Sequence, residues 1–172
     1  MRLMPDDGQR YEIIDGDLIV NPSPSTTHQK VSKRLQFELM RQIEETGAGV
    51  VFDAPTDVIF SKTRTVVPDL LVVRASRSNI ITERGIERAP DVVIEILSPS
   101  GAELDKIRKR KLYAEQGVPE YWIVDPATHA VEVLTLATGV GDYETWHLFG
   151  PGDRIASSVF EIDIDLDRVF RP

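Results

Sequence analysis

Val66-Val67-Pro68-Asp69-Leu70-Leu71-Val72-Val73 and Asp91-Val92-Val93-Ile94-Glu95-Ile96-Leu97 are the two stretches on which the fold turns. Each is an almost unbroken apolar run of strand length, as expected of a strand buried on both faces of a sheet. Each is interrupted by a carboxylate, Asp69 in the first and Glu95 in the second. A lone carboxylate in an apolar interior costs several kcal/mol, so each should have a partner or a metal. Two carboxylates on adjacent strands can clamp one hard divalent cation, and Mg²⁺ typically takes one or two protein carboxylates. The alternative is that each acid lies at a strand end and meets solvent or a lysine.

Upstream, Tyr11-Glu12-Ile13-Ile14-Asp15-Gly16-Asp17-Leu18-Ile19-Val20 reads as a β-hairpin turning at Asp15-Gly16. The loop Asn21-Pro22-Ser23-Pro24-Ser25-Thr26-Thr27 leads into a helix whose apolar stripe is Val31, Leu35, Leu39 and Ile43. Thr26 and Gln29 form a capping box for it, and Gly47 stops it. Short strands are expected at 50–52 and 58–60, one continuous strand at 66–73, and a loop with at most a short helix at 74–90. Downstream of Glu95, Ser98-Pro99-Ser100 opens a second helix, with Ser100 and Glu103 as its capping box and Gly117 and Pro119 at its end. Tyr121-Trp122-Ile123-Val124 is a strand closed by Asp125-Pro126, and 131–136 is its hairpin partner. Segments 143–149 and 155–170 read as further short strands. In the latter, residues 161–167 alternate acid and apolar, a half-exposed strand whose acids protect an edge. The order predicts one mixed α/β domain over 1–172, with a central sheet and helices packed on it.

Composition narrows the function. The chain has 172 residues, 41% of them hydrophobic and 28% charged, which is ordinary for a globular protein. The absence of cysteine excludes disulfides, thiolate catalysis and thiolate zinc sites. Neither a membrane-length apolar stretch nor the apolar core of a signal peptide is present, so the expectation is a cytoplasmic protein with no membrane partner. A net charge of −8 argues against a protein that coats nucleic acid indiscriminately. Between Lys62 and Lys111, however, 11 basic residues face 7 acidic ones, and this basic middle is either a local cationic face or ordinary solvated surface.

No P-loop, GxGxxG, HExxH or GxSxG motif occurs. His28, His129 and His147 lack metal-ligand spacing, Ser98 and Ser100 have no local base, and Trp122 and Trp146 read as core residues. The second helix carries Glu103-Leu104-Asp105-Lys106-Ile107-Arg108-Lys109-Arg110-Lys111. Two sectors compete on its wheel. Asp105, Lys109, Leu112 and Tyr113 form one; Leu104, Ile107, Lys111 and Ala114 form the other. By the apolar stripe alone, Lys111 turns inward.

Several phrases, in order, resemble the Uma-two family of the PD-(D/E)XK nuclease superfamily. They are 11–18, Pro22-Ser23-Pro24-Ser25 with His28-Gln29, Val67-Pro68-Asp69, Val93-Ile94-Glu95-Ile96-Leu97-Ser98-Pro99-Ser100, Asp105 with Lys109 and Tyr113, and 117–126. The resemblance implies a restriction-endonuclease-like fold, a mixed central β-sheet flanked by helices, with an additional N-terminal β-hairpin. It implies Asp69 and Glu95 as ligands of Mg²⁺ or Mn²⁺, with the main-chain carbonyl of Ile96 completing the set. The superfamily's lysine two residues after the second acid is replaced here by Leu97. Lys109 is the matching catalytic position in this branch, ahead of Lys106 and Lys111. Glu12 matches as an outer ligand and His28 as a phosphate or water contact; the alternatives, which are preferred for both, are a hairpin-edge acid and a polar residue at a helix start. The implied activity is metal-dependent endonucleolytic cleavage of DNA by a homodimer. The alternative is a nuclease fold without catalysis that binds nucleic acid or protein.

Overall fold

The hairpin forms where Asp15-Gly16 requires it. Strands β1 (Arg10–Ile14) and β2 (Asp17–Asn21) pair antiparallel around Asp15 and Gly16, whose φ angles of 53° and 88° are those of a tight primed turn. The computed structural model describes residues 10–21, 23–98, 103–136 and 141–171. Helix α1 (Thr26–Leu39) continues into a π-helical turn (Met40–Glu44), and Val31, Leu35, Leu39 and Ile43 are all buried, as their spacing predicts. Its cap is Ser25 rather than Thr26: the Ser25 hydroxyl accepts from the His28 backbone N–H at 3.2 Å, and Thr26 is already helical.

Next come β3 (Gly49–Asp53), β4 (Val58–Ser61), β5 (Arg64–Val66) and β6 (Leu70–Arg74). The run 66–73 is therefore two strands, not one. It breaks at Val67-Pro68-Asp69, where proline removes a ladder donor and the Val67 N–H donates instead to Glu12 Oε1 at 2.7 Å. The two halves belong to different sheets. A 3₁₀ helix (Ala75–Ile80) and the short strands β7 (Ile81–Thr82) and β8 (Gly85–Ile86) occupy the expected loop. Then follow β9 (Val92–Ile96), a second π-helical segment (Leu104–Lys109), α2 (Arg110–Glu115), and the strands β10 (Glu120–Asp125), β11 (Ala130–Thr135) and β12 (Thr145–Phe149). The capping box expected at Ser100 lies outside the described residues. The tail is β13 (Arg154–Ala156), β14 (Asp163–Asp165) and α3 (Leu166–Phe170). The alternating stretch 161–167 thus holds only three strand residues, because Asp165 caps a helix by accepting from the Asp167 N–H at 3.0 Å.

The central sheet runs β12-β11-β10-β9-β6-β3, antiparallel throughout except for the parallel pair β9–β10, which is joined through α2. The second sheet runs β2-β1-β5-β4-β8-β7. Alternation in β6 and β9 splits the core in two. Leu70, Val72, Val92 and Ile94 pack with α1 and α3 on one face. Leu71, Val73 and Val93 pack on the other with Leu112 and Tyr113 of α2 and with Ile14, Val58 and Val66 of the second sheet. The result is α1/α3, central sheet, then second sheet with α2: a mixed α/β architecture of the expected restriction-endonuclease-like kind. Trp122 is core, whereas Trp146 on the edge strand β12 is 54% exposed, against expectation, because no further strand or helix covers that edge among the described residues. His129 takes a positive φ of 55° in the β10–β11 turn and stacks on Phe170, a structural role.

Candidate active site

The antiparallel register pairs Leu70 with Ile94, so the next step along both chains sets Asp69 across from Glu95. Asp69 lies just before β6, free of the ladder, and its carboxylate is anchored from two directions. Its Oδ2 accepts from the Ile96 N–H at 2.8 Å and meets His28 Nε2 at 3.0 Å. Glu95, at 3% exposure, lies in the middle of the buried β9. Its Oε1 accepts from Tyr113 Oη at 2.7 Å and from Lys109 Nζ at 3.1 Å.

Lys109 joins three carboxylates. Besides Glu95, its ammonium lies 3.1 Å from Glu12 Oε2 and 3.5 Å from Asp105 Oδ1, and the side chain is buried. Lys111, by contrast, is 78% exposed and among the described residues pairs with Glu115, at 3.8 Å, and Lys106 is exposed. The apolar stripe splits: Ala114 is buried and Leu104 packs against the core, while Ile107 stands 62% exposed. Magnitudes explain the outcome. Leaving an isoleucine exposed forfeits about 2–3 kcal/mol, whereas leaving Glu12 and Glu95 buried without a cation costs roughly 3–5 kcal/mol. The π-helical geometry helps. Four steps in an α-helix overshoot a turn by about 40°. The wider π turn between Asp105 and Lys109 offsets that drift, so Asp105, Lys109 and Tyr113 share one face.

Burial raises the Glu95 carboxyl well above its usual range; Lys109 opposes this, while Asp105, Asp69 and Glu12 add to it. Burial likewise pushes Asp105 up to about 6, against Lys109. Burial pulls the Lys109 ammonium down, but Glu95, Glu12 and Asp105 outweigh it and hold the group protonated. Tyr113 is raised by its burial and by Glu95, so it remains a donor. Asp105 and Tyr113 are the members of this cluster that the candidate set lacked. Their spacing of four around Lys109 was the available signal.

Four carboxylates around one ammonium and one imidazole leave a negative excess, and that excess suits a divalent cation. The hydrogen bonds that described residues make to the two central acids fall on one oxygen of each, leaving Asp69 Oδ1 and Glu95 Oε2 for coordination. Among the described residues, no three His, Asp or Glu side chains converge in ligand geometry. Asp69 and Glu95 offer hard oxygen donors of the type that Mg²⁺ takes, one or two to an ion. A cavity of about 420 Å³ opens onto Asp69 and His28 from solvent. His28 fills two positions at once: its N–H completes the Ser25 cap and its ring reaches Asp69.

Much of the basic middle of the sequence is taken up in ion pairs. Arg64 pairs with Asp15 and Glu115, Arg74 and Arg77 with Asp91, Arg108 with Asp17 and Arg110 with Asp142, while Lys109 is buried.

A mixed sheet that sets two acids opposite each other beside a buried lysine is the arrangement of restriction-endonuclease-like folds. The family model described as "Putative restriction endonuclease", Uma2, matches residues 1–168, and the chain belongs to that family. A crystal structure described as that of a "putative nuclease" of the DUF820 group from Anabaena variabilis superposes with a TM-score of 0.81 at 21% identity, covering 97% of this chain and 93% of that one. At that identity it establishes the common fold. No curated protein matches the chain. No helix among the described residues is long and apolar enough to cross a membrane.

Proposed function

We propose that the protein is a Mg²⁺- or Mn²⁺-dependent endonuclease that hydrolyses DNA phosphodiester bonds in the cytoplasm. The observation that supports this most strongly is the register of β6 and β9, which sets Asp69 and Glu95 across from each other with Lys109 alongside. Asp69, Glu95 and the main-chain carbonyl of Ile96 are the groups that would hold the cation. When bound, the cation supplies Lewis acidity and lowers the pKa of a water. The residues of the chain do the rest. His28 and the Ile96 N–H orient Asp69. Tyr113 fixes the Glu95 rotamer by donating to Oε1. Lys109 offsets the charge of Glu95 and Glu12 at rest, and stabilises the negative charge that builds on the phosphoryl oxygens. Glu12 acts through Lys109 as an outer partner. Two nicks in a duplex are made most simply by a homodimer, whose two-fold axis matches that of the two strands.

A second reading is a nuclease fold that binds nucleic acid or protein without cutting. It is favoured by Leu97 at the usual lysine position and by the three carboxylates that already engage Lys109. Incubation of plasmid and single-stranded DNA with Mg²⁺, Mn²⁺ or chelator decides between them. The nuclease reading predicts metal-dependent products that chelator, Asp69→Ala and Glu95→Ala each abolish. Cleavage that survives in either purified variant belongs to a contaminant and leaves the binding reading.

A further inference from the structure

The whole chain has 28 acidic and 20 basic residues, yet one surface reverses the balance. Among the described residues, a groove of about 790 Å³ between α1 and α3 is lined by five cations, Lys30, Lys33, Arg34, Arg168 and Arg171, and one acid, Glu38. Glu38 is itself neutralised by Arg41 at 2.7 Å and by Arg168 at 3.9 Å. Arg34 is fixed by donating to the carbonyls of Val169 and Arg171, which ties the groove's two walls together. Lys30, Lys33 and Arg171 are exposed and make no ion pair among the described residues. Phe37 sits among them, 63% exposed on the helix face that carries Lys30 and Lys33. None of these residues comes from the basic middle of the sequence; the chain assembles the patch from segments more than 130 positions apart.

Lys33 also lines the cavity that opens onto Asp69 and His28. The groove and the cavity at Asp69 are therefore neighbours that share Lys33 as a wall. Cations one helical turn apart suit successive phosphates, and an exposed aromatic ring among them suits an unpaired base, which has a free π-face that a duplex hides. We propose that the α1–α3 groove binds a single-stranded nucleic acid segment, with phosphates on Lys30, Lys33 and Arg171 and a base stacked on Phe37, and leads that strand to Asp69. The inference rests on the nuclease reading only for what happens at the Asp69 end; the binding itself does not need it.

The test is fluorescence anisotropy of a labelled 20-nucleotide single strand and of the matching duplex, with the full chain in chelator and over a series of salt concentrations. The single strand binds more tightly than the duplex. Lys30→Ala, Lys33→Ala and Arg171→Ala each weaken binding and flatten the slope of log affinity against log salt by about 0.7. Phe37→Ala weakens it about fivefold or more without changing the slope, and Phe37→Trp restores it. Arg84→Ala, which removes an exposed cation outside the groove, binds as well as the unaltered protein. Groove variants that bind the strand normally overturn the proposal, even if the unaltered protein cleaves. Polyglutamate binding of equal strength, indifferent to Phe37→Ala, also overturns it in favour of an acidic protein partner. Binding as described by a protein that never cleaves refutes the nuclease reading alone.

Discussion

Replacing Lys109 by methionine keeps the four-atom stem of the side chain and removes the ammonium that Glu95, Glu12 and Asp105 share within 3.1, 3.1 and 3.5 Å. Breaking a buried ion pair from one side costs roughly 3–5 kcal/mol, because the opposite charge stays buried and uncompensated. A domain of this size has about 5–15 kcal/mol of stability in total. Each kcal/mol moves the melting temperature by about 2–4 °C, so Lys109→Met should lower it by roughly 6–20 °C at pH 8. The loss depends on pH, with a definite sign. Without the ammonium, burial holds the folded-state pKa values of Glu95 and Asp105 further above their unfolded values. The folded variant then binds more protons than its unfolded chain, and its stability rises as pH falls. The deficit should be largest at pH 8 and should shrink towards pH 5. Differential scanning calorimetry of both proteins across that range measures it. A melting temperature within 2 °C of the unaltered protein at pH 8, or a deficit that grows on acidification, would refute the buried-cluster reasoning.

Asp105, held near 6 against an ordinary value of 3.8, makes the folded protein bind an extra proton between those values, so stability falls as pH rises from about 4 to 6. The shift corresponds to about 3 kcal/mol. Asp105→Asn should flatten the pH dependence of the melting temperature across that window, and an unchanged profile would count against it. Tyr113→Phe removes a 2.7 Å bond to a buried carboxylate and should cost about 1.5–3 kcal/mol in a denaturant titration; a variant as stable as the original would show that the hydroxyl does not anchor Glu95.

The parts of the fold that local chemistry specifies were legible in the sequence. Asp15-Gly16 set the hairpin, the spacing of Val31, Leu35, Leu39 and Ile43 set α1, and the two acids inside apolar runs marked the site. What hid was settled between elements. A continuous apolar run does not reveal that its halves serve two sheets; Pro68 was the mark of the handover, and Glu12, 55 positions away, satisfies the Val67 N–H there. On the second helix, hydrophobicity pointed Ile107 and Lys111 inward. The demand of distant buried acids for a cation turned Lys109 inward instead, and only the resemblance to a nuclease family indicated it. Trp146 looked like core because it sits in a strand-like segment, yet β12 lies at the open edge of the sheet. The cationic groove has no linear signature at all, since α1 and α3 come from opposite ends of the chain.

The central claim is that Asp69 and Glu95 jointly hold one divalent cation. It is tested most directly by titrating Mn²⁺ into the metal-free protein and following bound ion by electron paramagnetic resonance. The account predicts one site per chain that Mg²⁺ displaces and that is lost in Asp69→Ala and in Glu95→Ala, with both variants still folded. Mn²⁺ binding of unchanged strength in either variant, or no binding by the unaltered protein, would contradict it.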